Sequence, residues 1–364
     1  MIHIVVLIDT NIERYPPVIA LLDSITRQED FSVTVIEGEY DPNIDKRYKK
    51  QVTFFHLYGK PYMGNLFHKA YDRINRIIKY RKFVKNYLAN NTYDVIWIAT
   101  VDTALHLRGI IERHNFILNI FELYDKFPVR LKWLHHLSAY AHNIVVPEIN
   151  RANIFRVWFN LPKTPFVIPN KPSEHPCCKK LSIDRIDNTI LQHISPKIIL
   201  YQGHIIEERR LDAICEAVSQ LPDYCLVLMG KETDYLADLK SRFPFIIHQN
   251  FVSPPLHLHI TSHAHIGIVT YTYESLNNIF CAPNKIWEYA GFGIPMLGNS
   301  IPGLQSTIGI SQAGICVDTD KVGEILDAIQ AIDSQYDLYS KKALAFYHSV
   351  SIDNMYKDVI YKSL

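Results

Sequence analysis

The chain has 364 residues, of which 48% are hydrophobic and 21% are charged, an ordinary composition for a globular protein with two domains. The sequence contains no apolar run near the roughly 20 residues that a membrane-spanning helix needs. The net charge is +1, yet residues 1–170 carry +6 and the remaining residues −5, so we expect the two halves to meet different partners. The six cysteines lack the spacing of a metal site and are predicted to be free thiols in a cytoplasmic protein.

The first half alternates predicted strands and helices, which is the βαβ pattern of a parallel sheet. The first apolar run ends in Asp9, and Phe116 to Phe121 forms a later strand. Ligands of open parallel sheets bind beyond the carboxyl ends of the strands. Glu122 and Asp125 follow the strand at 116–121, so we predict a role for them in chemistry or substrate binding. A helix-capping role for Asp125 is the alternative.

A long helix is predicted over residues 65–88, where apolar residues recur at helical spacing. The helix carries seven Lys or Arg residues against the single acidic residue Asp72. Two interpretations remain open. The helix either contacts an anionic membrane surface or has a solvated outer face while it covers the sheet.

The second half repeats the strand and helix alternation after a turn-rich linker at residues 171–196. Gly203 follows one strand, and Arg209 and Arg210 precede the next helix. The glycine allows a backbone to approach a ligand closely, and either arginine can clamp a diphosphate. An ordinary helix start with surface arginines is the alternative.

A second candidate segment runs from Asn277 to Pro295 and is predicted to be a polar loop, a short helix and a glycine exit into a strand. Pro283 suits the first helical position, and Gly291 and Gly293 are expected to end the helix. The N–H groups at the start of such a helix bind phosphate well. Glu288, deeper in the helix, suits hydroxyl groups attached to that phosphate. The alternative is a buried structural helix.

No metal site is predicted. Asp318-Thr319-Asp320 has the Asp-x-Asp form that some sugar transferases use for a metal, but it lies between a strand and a helix, where Asp320 is a good N-cap.

These segments resemble the glycosyltransferases group 1 family, retaining enzymes of the GT-B fold. The resemblance lies in Tyr201-Gln202-Gly203 with Arg209-Arg210-Leu211, in the segment 221–230, and in Asn277 through Pro295 followed by Ser300-Ile301-Pro302-Gly303. The third segment is similar to the subgroup with Pro-Asn-Lys before the donor-site glutamate. Residues 14–17 and 145–152 also resemble the family.

The resemblance implies an α/β protein with two Rossmann-like doubly wound domains that face each other across a cleft. It assigns residues 1–170 to the acceptor-side domain and 197–335 to the nucleotide-sugar-binding domain. It also implies C-terminal helices, 336–364, that cross back to the first domain.

The resemblance also assigns roles to the donor-site residues. Arg209 corresponds to a basic residue for the donor diphosphate, and Glu288 to the glutamate that takes the ribose hydroxyls. His204 stands where many members have arginine, and Phe280 stands where the family has a glutamate that contacts the donor sugar. The predicted donor-binding set is Gly203, His204, Arg209, Asn278, Phe280, Cys281, Asn284, Lys285 and Glu288.

We therefore predict a retaining, metal-independent glycosyltransferase with Glu122, Asp125 and Arg209 as catalytic residues and no cofactor besides the nucleotide-sugar donor. The predicted acceptor is a glycan or a polyprenyl-linked sugar of bacterial surface polysaccharide synthesis. No nucleic-acid partner is expected. Peripheral contact of the basic helix at 65–88 with the inner face of an anionic membrane stays one of the two open interpretations of that helix. Two alternative functions remain. Because Phe280 replaces the family glutamate, the protein could be a catalytically silent partner subunit of another transferase. Because the fold is shared, it could be a nucleotide-sugar epimerase.

Overall fold

The computed structural model describes residues 1–40, 42–48, 51–59, 64–183 and 197–364. The chain forms two compact units, residues 1–173 with 351–364 and residues 174–350. Residues 184–196, half of the predicted linker, lie outside the described part of the chain.

The described part of the first unit contains a parallel sheet of seven strands in the order β3-β2-β1-β4-β5-β6-β7. Its strands are β1 (Ile2–Ile8), β2 (Phe31–Glu39), β3 (Val52–Tyr58), β4 (Val95–Ile98), β5 (Phe116–Asn119), β6 (Asn143–Val146) and β7 (Phe166–Val167). The connecting helices are α1 (Pro16–Thr26), α2 (Pro42–Tyr48), α3 (Leu66–Asn90), α4 (Val101–His106), α5 (Pro128–Ser138) and α6 (Ile149–Trp158). The apolar residues of β4, and those of β1 from Ile4 to Ile8, are buried, as expected for central strands that are covered on both faces.

Two predicted boundaries in this unit are wrong. Strand β5 ends at Asn119, so Phe121 belongs to the loop that carries Glu122. The sequence predicts a helix over residues 103–113, whereas α4 runs from Val101 to His106 and is followed by Gly109 with a φ of +82°. A glycine in this left-handed conformation turns the chain away from a helical path.

Helix α3 has two different halves. Near its C-terminal end Tyr80, Val84 and Leu88 are buried. In its first four turns, four large apolar side chains are instead 56–89% exposed: Phe67, Tyr71, Ile74 and Ile78. The apolar residues at helical spacing therefore form two faces, of which only one packs on the unit.

The described part of the second unit contains a parallel sheet of six strands in the order β10-β9-β8-β11-β12-β13. Its strands are β8 (Lys197–Gln202), β9 (Tyr224–Met229), β10 (Ile247–Gln249), β11 (Ile266–Val269), β12 (Met296–Asn299) and β13 (Gly314–Val317). The helices are α7 (Asp212–Ser219), α8 (Asp234–Arg242), α9 (His257–Thr261), α10 (Leu276–Ile279), α11 (Asn284–Gly291), α12 (Pro302–Leu304), α13 (Val322–Ser334) and α14 (Tyr336–His348). The strand order reverses between β8 and β11, which is where doubly wound sheets bind ligands.

The C-terminal segment divides between the units. Helix α14 packs in the second unit, where Phe346 stacks on Trp287 at 4.4 Å. Helix α15 (Ile352–Tyr361) belongs to the first unit, where the Tyr356 hydroxyl donates to the Pro17 carbonyl at 3.1 Å. None of the described helices is long and apolar enough to cross a membrane.

Candidate functional site

The loop after β8 begins at Gly203, whose φ of +132° only glycine adopts readily. Its N–H donates to the Met229 carbonyl at 2.9 Å, which holds the loop against the end of β9. A Cβ on Gly203 would lie 3.1 Å from the Lys285 ammonium nitrogen. The bare backbone therefore brings the loop next to Lys285.

Arg209 lies at the end of a short 3-10 helix in the same loop. The Thr270 hydroxyl, just after β11, donates to the Arg209 carbonyl at 2.7 Å, so the two loops at the strand-order reversal are bonded to each other. The guanidinium lies 4.1 Å from the centre of the Tyr271 ring. Its Nη1 atom is buried and has no hydrogen-bond partner among the described residues.

Arg210 has a different environment from its neighbour. Its φ of +40° turns the chain after the 3-10 helix. Its side chain is exposed and forms an ion pair with Asp320 at 2.9 Å. Asp320 was predicted to cap the following helix, but α13 begins at Val322 with Lys321 at the N-cap position, so that prediction is wrong.

Helix α11 places Lys285 beside this loop. Pro283 is the N-cap rather than the first helical residue, one position from the prediction, and the predicted end is confirmed because the helix stops at Gly291 and Gly293 has a φ of +63°. The Lys285 ammonium lies 4.2 Å from the centre of the Tyr201 ring. Burial and the positive charge of Arg209 lower the pKa of Lys285 to about 7.

Glu288 lies one turn further along α11, in a polar network. One carboxylate oxygen accepts a hydrogen bond from the Gln202 amide, and the other lies 3.2 Å from His257 Nε2. Burial acts to raise the pKa of the carboxyl, but the charge of His257 and its hydrogen bond hold that pKa below the ordinary value. Each carboxylate oxygen has a second lone pair with which it can accept a hydroxyl.

The residues just before α11 are more enclosed. Asn278 is buried, and its amide donates to the Thr272 hydroxyl at 3.1 Å. Phe280 ends α10, and Cys281 is 2% exposed within the apolar core. Asn284 is the first residue of α11.

A cavity of about 480 Å³ opens next to Arg209. It lies at the carboxyl ends of β11, β12 and β13, and Tyr271, Asn299 and Asp318 are among its lining residues. Gly203 lies beside Lys285, and both Arg209 and Glu288 act on the pKa of Lys285, so the structure brings these four residues into one region of the second unit. Of the four, Arg209 lines the cavity. His204 lies at the edge of this region. The side chain of His204 is exposed, and its backbone carbonyl accepts a hydrogen bond from the Tyr201 hydroxyl at 2.6 Å.

Sequence reasoning missed Tyr201, Gln202 and His257 as members of this region. Gln202 is the last residue of β8, a position from which a polar side chain often reaches a ligand site. No local pattern marks His257, because its partner Glu288 lies on a different helix.

The first unit contains the two predicted acidic residues. Glu122 is exposed, and its carboxylate lies 3.4 Å from Arg151 Nη1. Helix α5 begins at Pro128 with Phe127 as its N-cap, so Asp125 does not cap it and that alternative is wrong.

No protein-family model matches the sequence, and comparison with curated proteins gives no match. Solved structures do match the chain over almost its full length. The sucrose-phosphate synthase of Thermosynechococcus elongatus has a TM-score of 0.76 at 14% identity, covering 99% of this chain and 98% of that one. The chain has the GT-B fold.

Two further structures agree with this fold. Anabaena HepE, solved with UDP and glucose, has a TM-score of 0.72 at 13% identity and covers 98% of both chains. The lipopolysaccharide outer core galactosyltransferase WaaB has a TM-score of 0.67 at 12% identity and covers 100% of both chains. The predicted fold class is therefore confirmed, with a Rossmann-like sheet in each unit.

Proposed function

We propose that the protein is a glycosyltransferase whose second unit binds the diphosphate of a nucleotide-sugar donor. The observation that carries the proposal is the pair Arg209 and Lys285. Neither side chain has a carboxylate partner within ion-pair distance in the described part of the chain, and the charge of one lowers the pKa of the other. Glu288 offsets the burial and the like charge at Lys285 only in part, and two neighbouring cations compensated only in part favour a ligand with several negative charges.

The surrounding groups suit the rest of such a donor. Gly203 leaves room for phosphate oxygens, and the first N–H groups of α11, at Asn284 and Lys285, add hydrogen-bond donors. Glu288 is the proposed acceptor for the ribose hydroxyls. Because position 280 is a phenylalanine, the donor sugar is expected to use other contacts, with Asn278 and the amides near Cys281 as candidates.

The donor base is proposed to be uracil. HepE was solved with UDP and with UDP-glucose, and its fold is similar to that of this chain. UDP is therefore the first ligand to test.

The proposed transfer retains the anomeric configuration, needs no metal and follows a front-face mechanism. The acceptor hydroxyl oxygen forms a bond to the anomeric carbon while the bond from that carbon to the diphosphate breaks. The acceptor proton passes to the departing phosphate oxygen. Arg209 and Lys285 stabilise the charge that develops on the diphosphate, and such stabilisation is commonly the largest catalytic contribution. Glu122 and Asp125 are proposed to face the acceptor.

The acceptor is proposed to be a glycan or a lipid-linked sugar that the enzyme meets at an anionic membrane surface. The exposed row on α3 supports this proposal. Phe67, Tyr71, Ile74 and Ile78 occupy one outer face at spacings of four, three and four residues, and the exposed Lys82 and Lys85 continue that face. An apolar stripe extended by lysines is typical of helices that lie in the headgroup region.

Thermal-shift titration with UDP tests the donor site, with Arg210→Gln as the matched control for Arg209→Gln. Charge-assisted hydrogen bonds contribute about 1.5–3 kcal/mol each, so Arg209→Gln is expected to weaken UDP binding by about tenfold or more. Arg210→Gln should bind nearly as the parent does, because Arg210 is paired with Asp320. Unchanged UDP binding in both Arg209→Gln and Glu288→Gln would refute the site.

Phe280 favours one second candidate, a catalytically silent subunit that binds donor without transferring sugar. Turnover separates the two functions, because a transferase hydrolyses or transfers the sugar of at least one UDP-sugar. A purified chain that binds UDP-sugars and never releases UDP would support the silent subunit.

A further inference from the structure

Two cysteines that are adjacent in the chain, Cys177 and Cys178, lie in the second unit, and both thiols are exposed. The other four cysteines are enclosed: Cys215, Cys225 and Cys281 are buried and Cys316 is half-buried. Burial raises the pKa of Cys215 and of Cys316 to about 12. Because the thiolate is the form that reacts and exposure governs access, an oxidant in solution meets the adjacent pair before the others.

The backbone at Cys177 has an unfavourable conformation. Its φ of +54° lies in the left-handed region, which residues with a side chain adopt rarely. The Cys177 N–H donates to His175 Nδ1 at 3.0 Å, and this hydrogen bond fixes the turn. Left-handed residues other than glycine are concentrated at ligand sites and switch regions, which makes this turn a candidate for a function.

His175 connects this turn to helix α11. Because a backbone N–H donates to Nδ1, the proton of the neutral ring is on Nε2, which donates to the Glu288 carbonyl at 3.0 Å. The ring also packs against the helix. A Cβ on Gly291 would lie 2.6 Å from it, and the Phe292 ring is 4.2 Å away between centres.

The hydrogen bond to Glu288 caps the C-terminal end of α11. Glu288 is among the last four residues of that helix, whose carbonyls have no helical partner. The N–H that would continue the helical pattern, that of Phe292, donates to the Tyr289 carbonyl at 3.1 Å instead. His175 therefore supplies the donor at Glu288, whose side chain belongs to the proposed donor site. Two hydrogen bonds through one ring thus link the turn at Cys177 to the donor-site helix.

We propose that Cys177 and Cys178 form a peroxide-sensitive dithiol whose oxidation weakens donor binding through His175. Hydrogen peroxide transfers one oxygen to the first thiol, which becomes a sulfenic acid, and water leaves. The second thiol then attacks the oxidised sulfur, so that an S–S bond forms, the S–O bond breaks and a second water leaves. The two thiols lose two electrons and two protons in total, and the peroxide is reduced to two waters.

The disulfide between neighbouring residues is reversible. Adjacent Cα atoms are about 3.8 Å apart, whereas ordinary disulfides join Cα atoms about 4.4–6.8 Å apart, so this bond is strained and small thiols reduce it readily. Closure of the ring also reorients the backbone at Cys177 and removes its N–H from His175. The effect on donor binding rests on the proposed function, and the dithiol chemistry does not.

Treatment of the full chain with hydrogen peroxide, stopped with catalase, tests the proposal. Intact mass and peptide mapping are expected to show the loss of two hydrogen atoms from the segment with Cys177 and Cys178, and dithiothreitol should restore them. UDP affinity of the parent is expected to fall by about fivefold, the equivalent of one ordinary hydrogen bond. The matched control is Cys177→Ser/Cys178→Ser, which should bind UDP as the untreated parent does, before and after peroxide.

Substitutions of His175 test the connection to α11 without an oxidant. His175→Gln can still accept from the Cys177 N–H and donate to the Glu288 carbonyl, so it should keep most of the UDP affinity. His175→Leu makes neither hydrogen bond and is expected to bind UDP about fivefold more weakly, with no further loss after peroxide. Thermal melting checks the folding of both variants. If the leucine variant does not fold, the parent and the serine pair still decide the coupling.

The proposal is overturned if peroxide oxidises another cysteine first, or if the pair becomes sulfinic or sulfonic acid without passing through the disulfide. A disulfide that leaves UDP affinity unchanged overturns the coupling to α11, as does a normal peroxide response in His175→Leu. If no form of the chain binds UDP, the proposed function fails. The mass change, and a melting shift with peroxide in the parent that the serine pair lacks, then still report on the dithiol alone.

Discussion

The ammonium group of Lys285 lies 4.2 Å from the centre of the Tyr201 ring, on the inner side of the loop that Gly203 begins. The aromatic face attracts the cation but cannot neutralise it. Burial and the charge of Arg209 lower the pKa of Lys285, and the Glu288 carboxylate raises it only in part, so the ammonium can still pair with a bound anion.

Replacing Lys285 by methionine is expected to stabilise the ligand-free protein in acid more than in base. The ammonium has a pKa of about 7 when folded and an ordinary pKa of 10.5 when unfolded. The buried charge therefore lowers the free energy of unfolding by its full amount below pH 7. This destabilisation decreases as pH rises toward 10.5. Urea unfolding of parent and variant across this range measures the difference. A gain in stability that is the same at both ends of the pH range would contradict the assigned pKa of Lys285.

UDP binding near neutral pH is expected to take up protons. A bound diphosphate favours the charged ammonium and so raises the pKa of Lys285 from about 7. The same linkage makes UDP affinity fall as pH rises above neutrality. Titration calorimetry in buffers of different ionisation enthalpy counts the protons, and the Lys285→Met variant should lose most of the uptake. Equal uptake in parent and variant would place the titrating group elsewhere.

Gly203→Ala is expected to destabilise the second unit by about 1–3 kcal/mol, because a side chain is strained at this backbone conformation. The added Cβ would also press on the Lys285 ammonium, 3.1 Å away, and weaken UDP binding. Gly323→Ala is the control, since Gly323 lies in α13 with nothing within 4 Å of the new Cβ. That change should be neutral or stabilise by about 0.5–1 kcal/mol. Denaturant unfolding compares the two, and equal effects would argue against strain at Gly203.

Vesicle flotation tests the α3 surface. Ile74→Ser/Ile78→Ser should reduce binding to both anionic and neutral vesicles, because it removes apolar area that enters the bilayer. Lys82→Glu/Lys85→Glu should reduce binding to anionic vesicles only, and Lys240→Glu on the exposed face of α8 is the control. A parent protein that stays unbound with anionic vesicles would rule the surface out.

Tyr356→Ala is expected to cost the first unit about 3–5 kcal/mol, the usual range for a large buried aromatic residue. Tyr356 is 4% exposed, and its ring lies 5.6 Å from that of Trp97 in the centre of the sheet. Unfolding followed by tryptophan fluorescence measures the loss. Phe replacement keeps the ring and removes only the hydrogen bond to Pro17, so it should cost about 1 kcal/mol. If the alanine variant is as stable as the phenylalanine variant, α15 contributes little to the stability of the first unit.

The sequence predicted the alternation of both sheets, because β-branched runs bounded by turn residues are a local signal. It also located the end of α11, where Gly291 and Gly293 stop the helix whatever packs around it. It did not predict the network of Gln202, His257 and Glu288. These residues are far apart in the chain and meet only because α9 and α11 pack beside the end of β8. The sequence also did not predict which apolar face of α3 is buried and which is exposed. Periodicity shows where apolar residues lie on a helix, but it does not show what packs against them.

The adjacent residues Arg209 and Arg210 differ in a way that the local sequence does not predict. The sequence by itself determined that a loop after a buried strand carries two strong cations behind a glycine. Only the tertiary structure decided that Arg209 turns inward and Arg210 outward. The left-handed turn at Arg210 separates the two side chains, Thr270 holds the Arg209 backbone from β11, and Asp320 neutralises Arg210 from beyond β13. Each of these contacts spans about sixty residues or more, so the sheet order, and not the local sequence, selects the arginine that is left for a ligand.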